Sequence, residues 1–210
     1  MSRESKRITI MNAAAKVFAE KGFQYATMAD IAAGAEISTG LTYSYFRNKL
    51  DVLLSIIIDF LQTINRQNAG RLDSVADPFE KIYTVFHTFE DLLMRDDGNP
   101  YLITVLNEGL PHLVMISDLD LQEKRQNIIE ENRKLIQTID AIISEGQQKG
   151  LFDSELSPAV MRQVLCGAVE RVIYGLFFST RSGEDMGYKR ADASKAIERL
   201  INTFISKPGS

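Results

Sequence analysis

The sequence predicts an all-α protein, and three observations carry that expectation. Apolar residues recur at spacings of three and four along most of the 210-residue chain. Only five prolines interrupt it, and proline is the residue that a helix interior tolerates least. No stretch shows the strict alternation or the Asn-Gly turn of a β-hairpin. Hydrophobic residues at 45% and charged residues at 25% are the proportions of a globular chain with a real core.

The elements follow in order. Ile8, Met11, Ala15 and Phe18 share one face of a first helix over about residues 6–21, and Lys21-Gly22 supplies a cationic last turn and a left-handed C-cap. Thr27-Met28-Ala29-Asp30 is an N-cap signature for a second, short helix with Ile31 and Ala32 turned inward. Gly34-Ala35-Glu36 interrupts that helix, and Ser38 caps a third segment from Thr39 to Phe46. Asn48, with Asp51 three residues on, caps a fourth helix whose buried face carries Leu53, Leu54, Ile57 and Ile58. Asp77-Pro78 opens a helix to about Arg95, with proline in the first turn where its missing N–H costs nothing. Asp96 to Pro100 is a turn cluster, and residues 100–110 form a short apolar helix that Pro111 breaks. A long polar-faced helix runs from about Leu119 to Lys149 and stops at Gly150. Ser157-Pro158 starts another, to about Ser179, and a last one covers about residues 189–206.

The net charge of −4 conceals an asymmetry. Residues 1–50 carry seven basic and four acidic groups, net +3, and the remainder carries 17 basic and 24 acidic groups, net −7. A basic head on an acidic body is the pattern of a phosphate-binding module joined to something else. The single cysteine, Cys166, excludes an internal disulfide and fits a reducing compartment, and its apolar surroundings read as those of an inert thiol. The early residues lack a signal peptide, and the run Val52 to Ile58 is too short for a membrane span, so a cytoplasmic protein is expected. Two scattered histidines, His87 and His112, and the absence of a P-loop, a dinucleotide fingerprint or zinc spacing argue against an enzyme, a cofactor or a metal site.

Residues 27–46 have the outline of a helix-turn-helix. Its second helix must be small in its first turn to enter a DNA major groove, and it must be anchored by apolar residues on its back. Thr39 and Gly40 meet the first need, and Ile37 and Phe46 the second. The stretch Ile37-Ser38-Thr39-Gly40-Leu41-Thr42-Tyr43-Ser44-Tyr45-Phe46-Arg47-Asn48-Lys49 resembles the recognition segment of the TetR family of transcriptional regulators. Gly22-Phe23 and Thr27 to Ala32 resemble the family's upstream stretches, and together they cover about residues 8–54. Two positions depart from the pattern. Glu36 replaces the usual turn glycine, which implies a turn that needs no positive φ, and Thr42 replaces the usual leucine with Leu41 beside it.

The resemblance implies an N-terminal three-helix head on a larger C-terminal helical domain, with residues 1–50 binding DNA and residues 51–210 binding an effector and dimerising. It implies a homodimeric repressor on a palindromic operator, released by a small-molecule effector, without cofactor or membrane partner. It assigns phosphate contacts to Thr27, Tyr43, Tyr45 and Lys49, and groove contacts to Thr39, Gly40, Leu41 and Ser44. An all-helical ligand-binding protein that has lost DNA binding is the alternative. Gly167, Arg171 and Gly175, and the stripe Ala193, Ile197, Leu200, Ile201 and Phe204, would serve either a dimer interface or packing within the chain. Phe86, His87, Phe89, Leu106, Arg171 and Tyr174 would line either the body's core or an effector pocket. The stretch Ile143 to Gly150, followed by Leu151 and Phe152, resembles family members that respond to fatty acyl-CoA, which implies an effector of that or another apolar kind.

Overall fold

The computed structural model describes residues 2–94, 101–102, 105–106, 121–182, 185 and 187–206. The described residues form α1 (Arg3–Lys21), α2 (Met28–Gly34), α3 (Thr39–Tyr43), α4 (Lys49–Leu72), α5 (Pro78–Met94), α6 (Gln122–Gln148), α7 (Pro158–Ser182) and α8 (Arg190–Ile205). Among them there is no strand, only one isolated antiparallel bridge between Phe152 and Ser206. The expected all-helical fold is therefore found. The turn cluster at 96–100 and most of the short helix at 100–110 lie outside the described residues. No described helix is long and apolar enough to cross a membrane.

The chain divides into two compact units, Met1–Thr63 with Arg95–Asn132, and Ile64–Met94 with Arg133–Ser210. The division between Thr63 and Ile64 falls within α4.

In the first unit, Ile10, Met11, Ala14, Ala15, Val17 and Phe18 bury the inner face of α1, while Ile8 is 43% exposed. The expected stripe was displaced: the buried face centres on Ala14 and Phe18, and Ile8 falls at its edge. Gly22 ends α1 at φ 80, its N–H donating to the Phe18 carbonyl at 2.9 Å. Phe23 then folds back edge-on to Phe18, centroids 5.3 Å apart. The first part of α4 is buried on every side from Asp51 to Ile57, which the four residues marked in the sequence understate.

In the second unit, α8 packs on α5 and α7. Of its stripe, Ala193, Ile197 and Ile201 are buried against the chain itself, while Leu200 and Phe204 are half-buried. Polar links tie the helices: Lys81 to Glu145 at 2.6 Å and Arg162 to Asp140 at 2.8 Å. The ammonium groups of Lys149 and Lys81 hold the Glu145 carboxyl below the usual carboxylate range.

The stretch 143–152 has a structural explanation. The Gly146 carbonyl accepts the N–H groups of Leu151 and Phe152, at 2.9 and 3.2 Å, and Gly150 makes the turn at φ 68. The Phe152 ring, 1% exposed and edge-on to Phe79 at 4.7 Å, lies where a Cβ on residue 146 would be. Glycine at 146 is required by this packing alone. Cys166 is half-buried, and burial pushes its thiol up to about 11, so it stays protonated and inert at neutral pH.

Candidate nucleic-acid interface

The site is built by three short pieces of chain. Thr27 caps α2: its Oγ1 accepts the Asp30 N–H at 3.1 Å, and Asp30 Oδ2 accepts the Thr27 N–H at 3.0 Å, a reciprocal box. Hydrogen bonds from Lys21, first, and Thr27 lower the Asp30 carboxyl to about 2, so it is ionised at any pH at which the protein works.

The turn after α2 corrects one expectation. Glu36 adopts φ 55, the left-handed conformation that the absence of glycine had argued against. The hydrogen bonds explain why. Ile37 N–H donates to the Ala32 carbonyl at 3.0 Å and Glu36 N–H to the Ala33 carbonyl at 3.1 Å, the paired bonds of a Schellman cap with Glu36 at its left-handed position. The need to satisfy those carbonyls overrides the preference of the side chain. Glu36→Gly should therefore stabilise the chain by about 0.5–1 kcal/mol, the left-handed penalty less the extra unfolded entropy of glycine. Thermal denaturation checks this, with Glu36→Ala giving no comparable gain.

Ser38 then caps α3, its Oγ accepting the Leu41 N–H at 3.2 Å. The helix spans only Thr39–Tyr43, shorter than the expected run to Phe46. Thr42 is fully buried, and its Oγ1 donates to the Ser38 carbonyl at 3.3 Å, so the hydroxyl at the usual leucine position is satisfied locally. Phe46 is 1% exposed, with the Arg7 guanidinium 5.7 Å and the Lys124 ammonium 5.8 Å from its ring centre. Anchored through Thr42 and Phe46, α3 turns outward Thr39, Gly40, Tyr43 and Ser44, with Leu41 half-exposed at their border. A Cβ on Gly40 would meet nothing within 4 Å. Nothing inside the chain asks for glycine there.

The expected contact residues divide. Tyr43 is 54% exposed. Tyr45 is half-buried, with the Arg3 guanidinium 6.0 Å from its ring centre. Ser44 Oγ donates to the Leu41 carbonyl at 2.7 Å, leaving it an acceptor at the surface. Thr27 gives its O–H to Asp30 Oδ2 at 2.7 Å. Lys49 donates to the carbonyls of Phe23, Gln24 and Ala26 at 2.8, 2.8 and 3.0 Å and stands 4.9 Å from the centre of the Phe23 ring. An ammonium has three donors. All are spent on the α1–α2 turn, so in this conformation Lys49 clamps the turn and has no N–H left for a phosphate.

Sequence reasoning passed over two residues beside this edge. Tyr25 is 83% exposed in the clamped turn, and Arg3 at the start of α1 reaches Tyr45. Arg3 was visible as one of the head's seven cations; nothing local pairs it with a residue 42 positions on.

Of the expected effector residues, Phe86 is buried and Phe89 half-buried on α5. His87 is exposed, 3.5 Å from Glu90 Oε2 and stacked on Tyr83. Arg171 is exposed and lies 5.5 Å from the centre of the half-buried Tyr174 ring. His87 and Arg171 therefore stand at the surface of their unit rather than in its interior. Leu106, half-buried, belongs to the first unit.

The geometry has counterparts. Residues 10–56 match bacterial regulatory proteins of the tetR family, and residues 59–202 match the C-terminal region of YsiA-like protein. The chain is 26% identical over 203 residues to the fatty acid metabolism regulator protein of Bacillus subtilis, with 97% of each chain covered. Its fold is similar to that of a fatty acid degradation regulator, FadR, from Bacillus halodurans, at a TM-score of 0.74, 24% identity and 97% coverage of each chain. It is also similar to FadR of Bacillus subtilis in complex with stearoyl-CoA, at a TM-score of 0.70 and 26% identity over 93% of this chain and 97% of that one.

Proposed function

Because the chain belongs to the TetR family of bacterial regulatory proteins, we propose that it is a cytoplasmic repressor that binds a palindromic operator as a homodimer and leaves it when a fatty acyl-CoA, or another apolar small molecule, binds the body. The observation that carries DNA binding is the outward edge of α3, with Thr39, Gly40 and Ser44 exposed above the anchors Thr42 and Phe46. Thr39, Leu41 and Ser44 read base edges, Gly40 permits the approach, and Tyr43, Tyr45, Tyr25 and Arg3 meet phosphates. Lys49 and Thr27 hold the turn and helix that present them.

The heads of a dimer would sit about 34–36 Å apart, one helical turn of duplex. The outward face of α7 suits the partner. Val160 and Val164 are 48% and 43% exposed, and Gly167 one turn on is exposed with nothing within 4 Å of a Cβ position. A glycine inside a helix costs about 1 kcal/mol against alanine, and close approach of a second helix would account for it. Residues 1–50 are the DNA-binding part and residues 51–210 the effector and dimer part. The acyl-CoA effector is supported by the similarity to the Bacillus subtilis regulator and its stearoyl-CoA complex.

Fluorescence anisotropy with DNA from upstream of the protein's own reading frame tests the reading. Saturable binding that weakens steeply with salt, and is relieved by stearoyl-CoA, is the expected result. Binding of stearoyl-CoA with no DNA binding at any salt would leave an all-helical ligand-binding protein instead.

A further inference from the structure

Among the described residues of the second unit, one buried polar side chain is left without a partner by the fold. Asn68, on α4, is 2% exposed, and neither its Nδ2 nor its Oδ1 has a hydrogen-bond partner among the described residues. Burying a primary amide without partners is costly, and a partner that arrives from outside would offset that cost. The neighbours on the same helix sharpen the point. Ile64, one turn before, is 1% exposed. Arg71, one turn after, is committed to α5: its Nη1 donates to Thr88 Oγ1 at 2.9 Å and its Nη2 to Asp91 Oδ2 at 3.2 Å. Thr88 is itself fully buried and passes its O–H to the Thr84 carbonyl at 2.8 Å. The partly exposed Arg71 guanidinium and the buried Thr88 hydroxyl are thus paired within the chain, whereas the Asn68 amide is not.

We infer that Asn68 is the polar anchor of the effector site and meets two successive secondary amides of the ligand, its N–H donating to the carbonyl of one and its own carbonyl accepting the N–H of the other. A trans secondary amide turns its N–H and its C=O to opposite sides, so the two orphaned atoms are matched by neighbouring amides of one extended arm. The inference rests on the acyl-CoA reading above: the arm joining the acyl chain of such a thioester to its nucleotide carries two secondary amides in succession.

Isothermal titration of the full-length protein with stearoyl-CoA, and separately with stearate, tests it in the unmodified chain and in Asn68→Leu, a change that conserves volume. The variant should bind stearoyl-CoA roughly tenfold or more weakly, the loss expected for two hydrogen bonds, while binding of stearate, which has no amide, changes little. Without ligand, the unfolding midpoint of Asn68→Leu should rise, since an unpaired amide has been removed. Undiminished binding of stearoyl-CoA would overturn the role of Asn68. An equal loss for stearate would overturn the amide assignment, and a lowered midpoint would show that the amide is paired in the ligand-free protein. Failure of the unmodified chain to bind stearoyl-CoA would overturn the acyl-CoA reading itself and the anchor with it.

Discussion

Gly40→Leu should leave the protein as stable as before while reducing its affinity for operator DNA to that of random sequence, a loss of roughly 10³-fold or more. The two halves of this result come from one observation, the open space around the Cβ position of Gly40. Inside the chain, a leucine there meets no atom, needs no left-handed backbone and improves helix propensity, so the unfolding midpoint should hold or rise slightly. Outside it, the four added carbons stand on the edge by which α3 would enter the groove. The helix must back away by about the width of a side chain, and hydrogen bonds to base edges, which fail within a few tenths of an ångström, are lost together. Phosphate contacts through longer side chains survive the retreat better, so residual binding should keep much of its salt dependence while losing its sequence preference. Circular dichroism melts and anisotropy with operator and scrambled duplexes measure both halves. Operator affinity within threefold of the unmodified protein would place the edge of α3 away from the groove.

The caps of the head's helices were legible because they are written locally. Gly22, the Thr27–Asp30 box and the Ser38 cap each place a donor and an acceptor within four residues, and each forms where the sequence puts it. What sequence reading missed depends on distant partners or on competition. Glu36 takes a positive φ because two carbonyls of α2 require it, a demand that residue preference does not register. Lys49 is clamped by carbonyls 23 to 26 residues away, so its position at the start of α4 gives no hint that its donors are spent. The stripe of α8 is apolar on either reading, and periodicity cannot say whether the surface it meets belongs to the same chain. The contact of Phe152 with Gly146, six residues earlier, gives that glycine a packing role that the stretch's resemblance did not reveal. Asn68 gave no signal at all, since an asparagine on a helix is ordinary until its burial and missing partners are known.

Removal of the Asp51 carboxylate should be the most damaging single polar change in the first unit, at about 2–4 kcal/mol. Asp51 is 5% exposed. Its Oδ2 accepts the Arg47 N–H at 2.9 Å, in the turn that leads out of α3. Its Oδ1 pairs with the Lys124 ammonium on α6, which also donates to the fully buried Ser55 hydroxyl at 2.5 Å. The Asp51 N–H in turn donates to Asn48 Oδ1 at 2.9 Å. Breaking a buried pair from one side costs about 3–5 kcal/mol because the other charge is left behind. The lower figure applies because the Lys124 side chain is 31% exposed and water recovers part of the loss. Asp51→Ala therefore strands an ammonium beside Phe46 and frees the Arg47 N–H together. Most of the cost should sit in the stranded charge. Asp51→Ala with Lys124→Met should thus be more stable than Asp51→Ala alone, by about 1–2 kcal/mol, since the uncompensated cation is gone and its stem still packs. Urea denaturation at one fixed protein concentration gives the four corners of the cycle. Strictly additive losses would mean that the two side chains do not share the pair. DNA affinity separates the two consequences further. The double substitution restores neutrality but not the acceptor for Arg47, so it should regain stability while the turn behind α3, and with it operator binding, stays impaired.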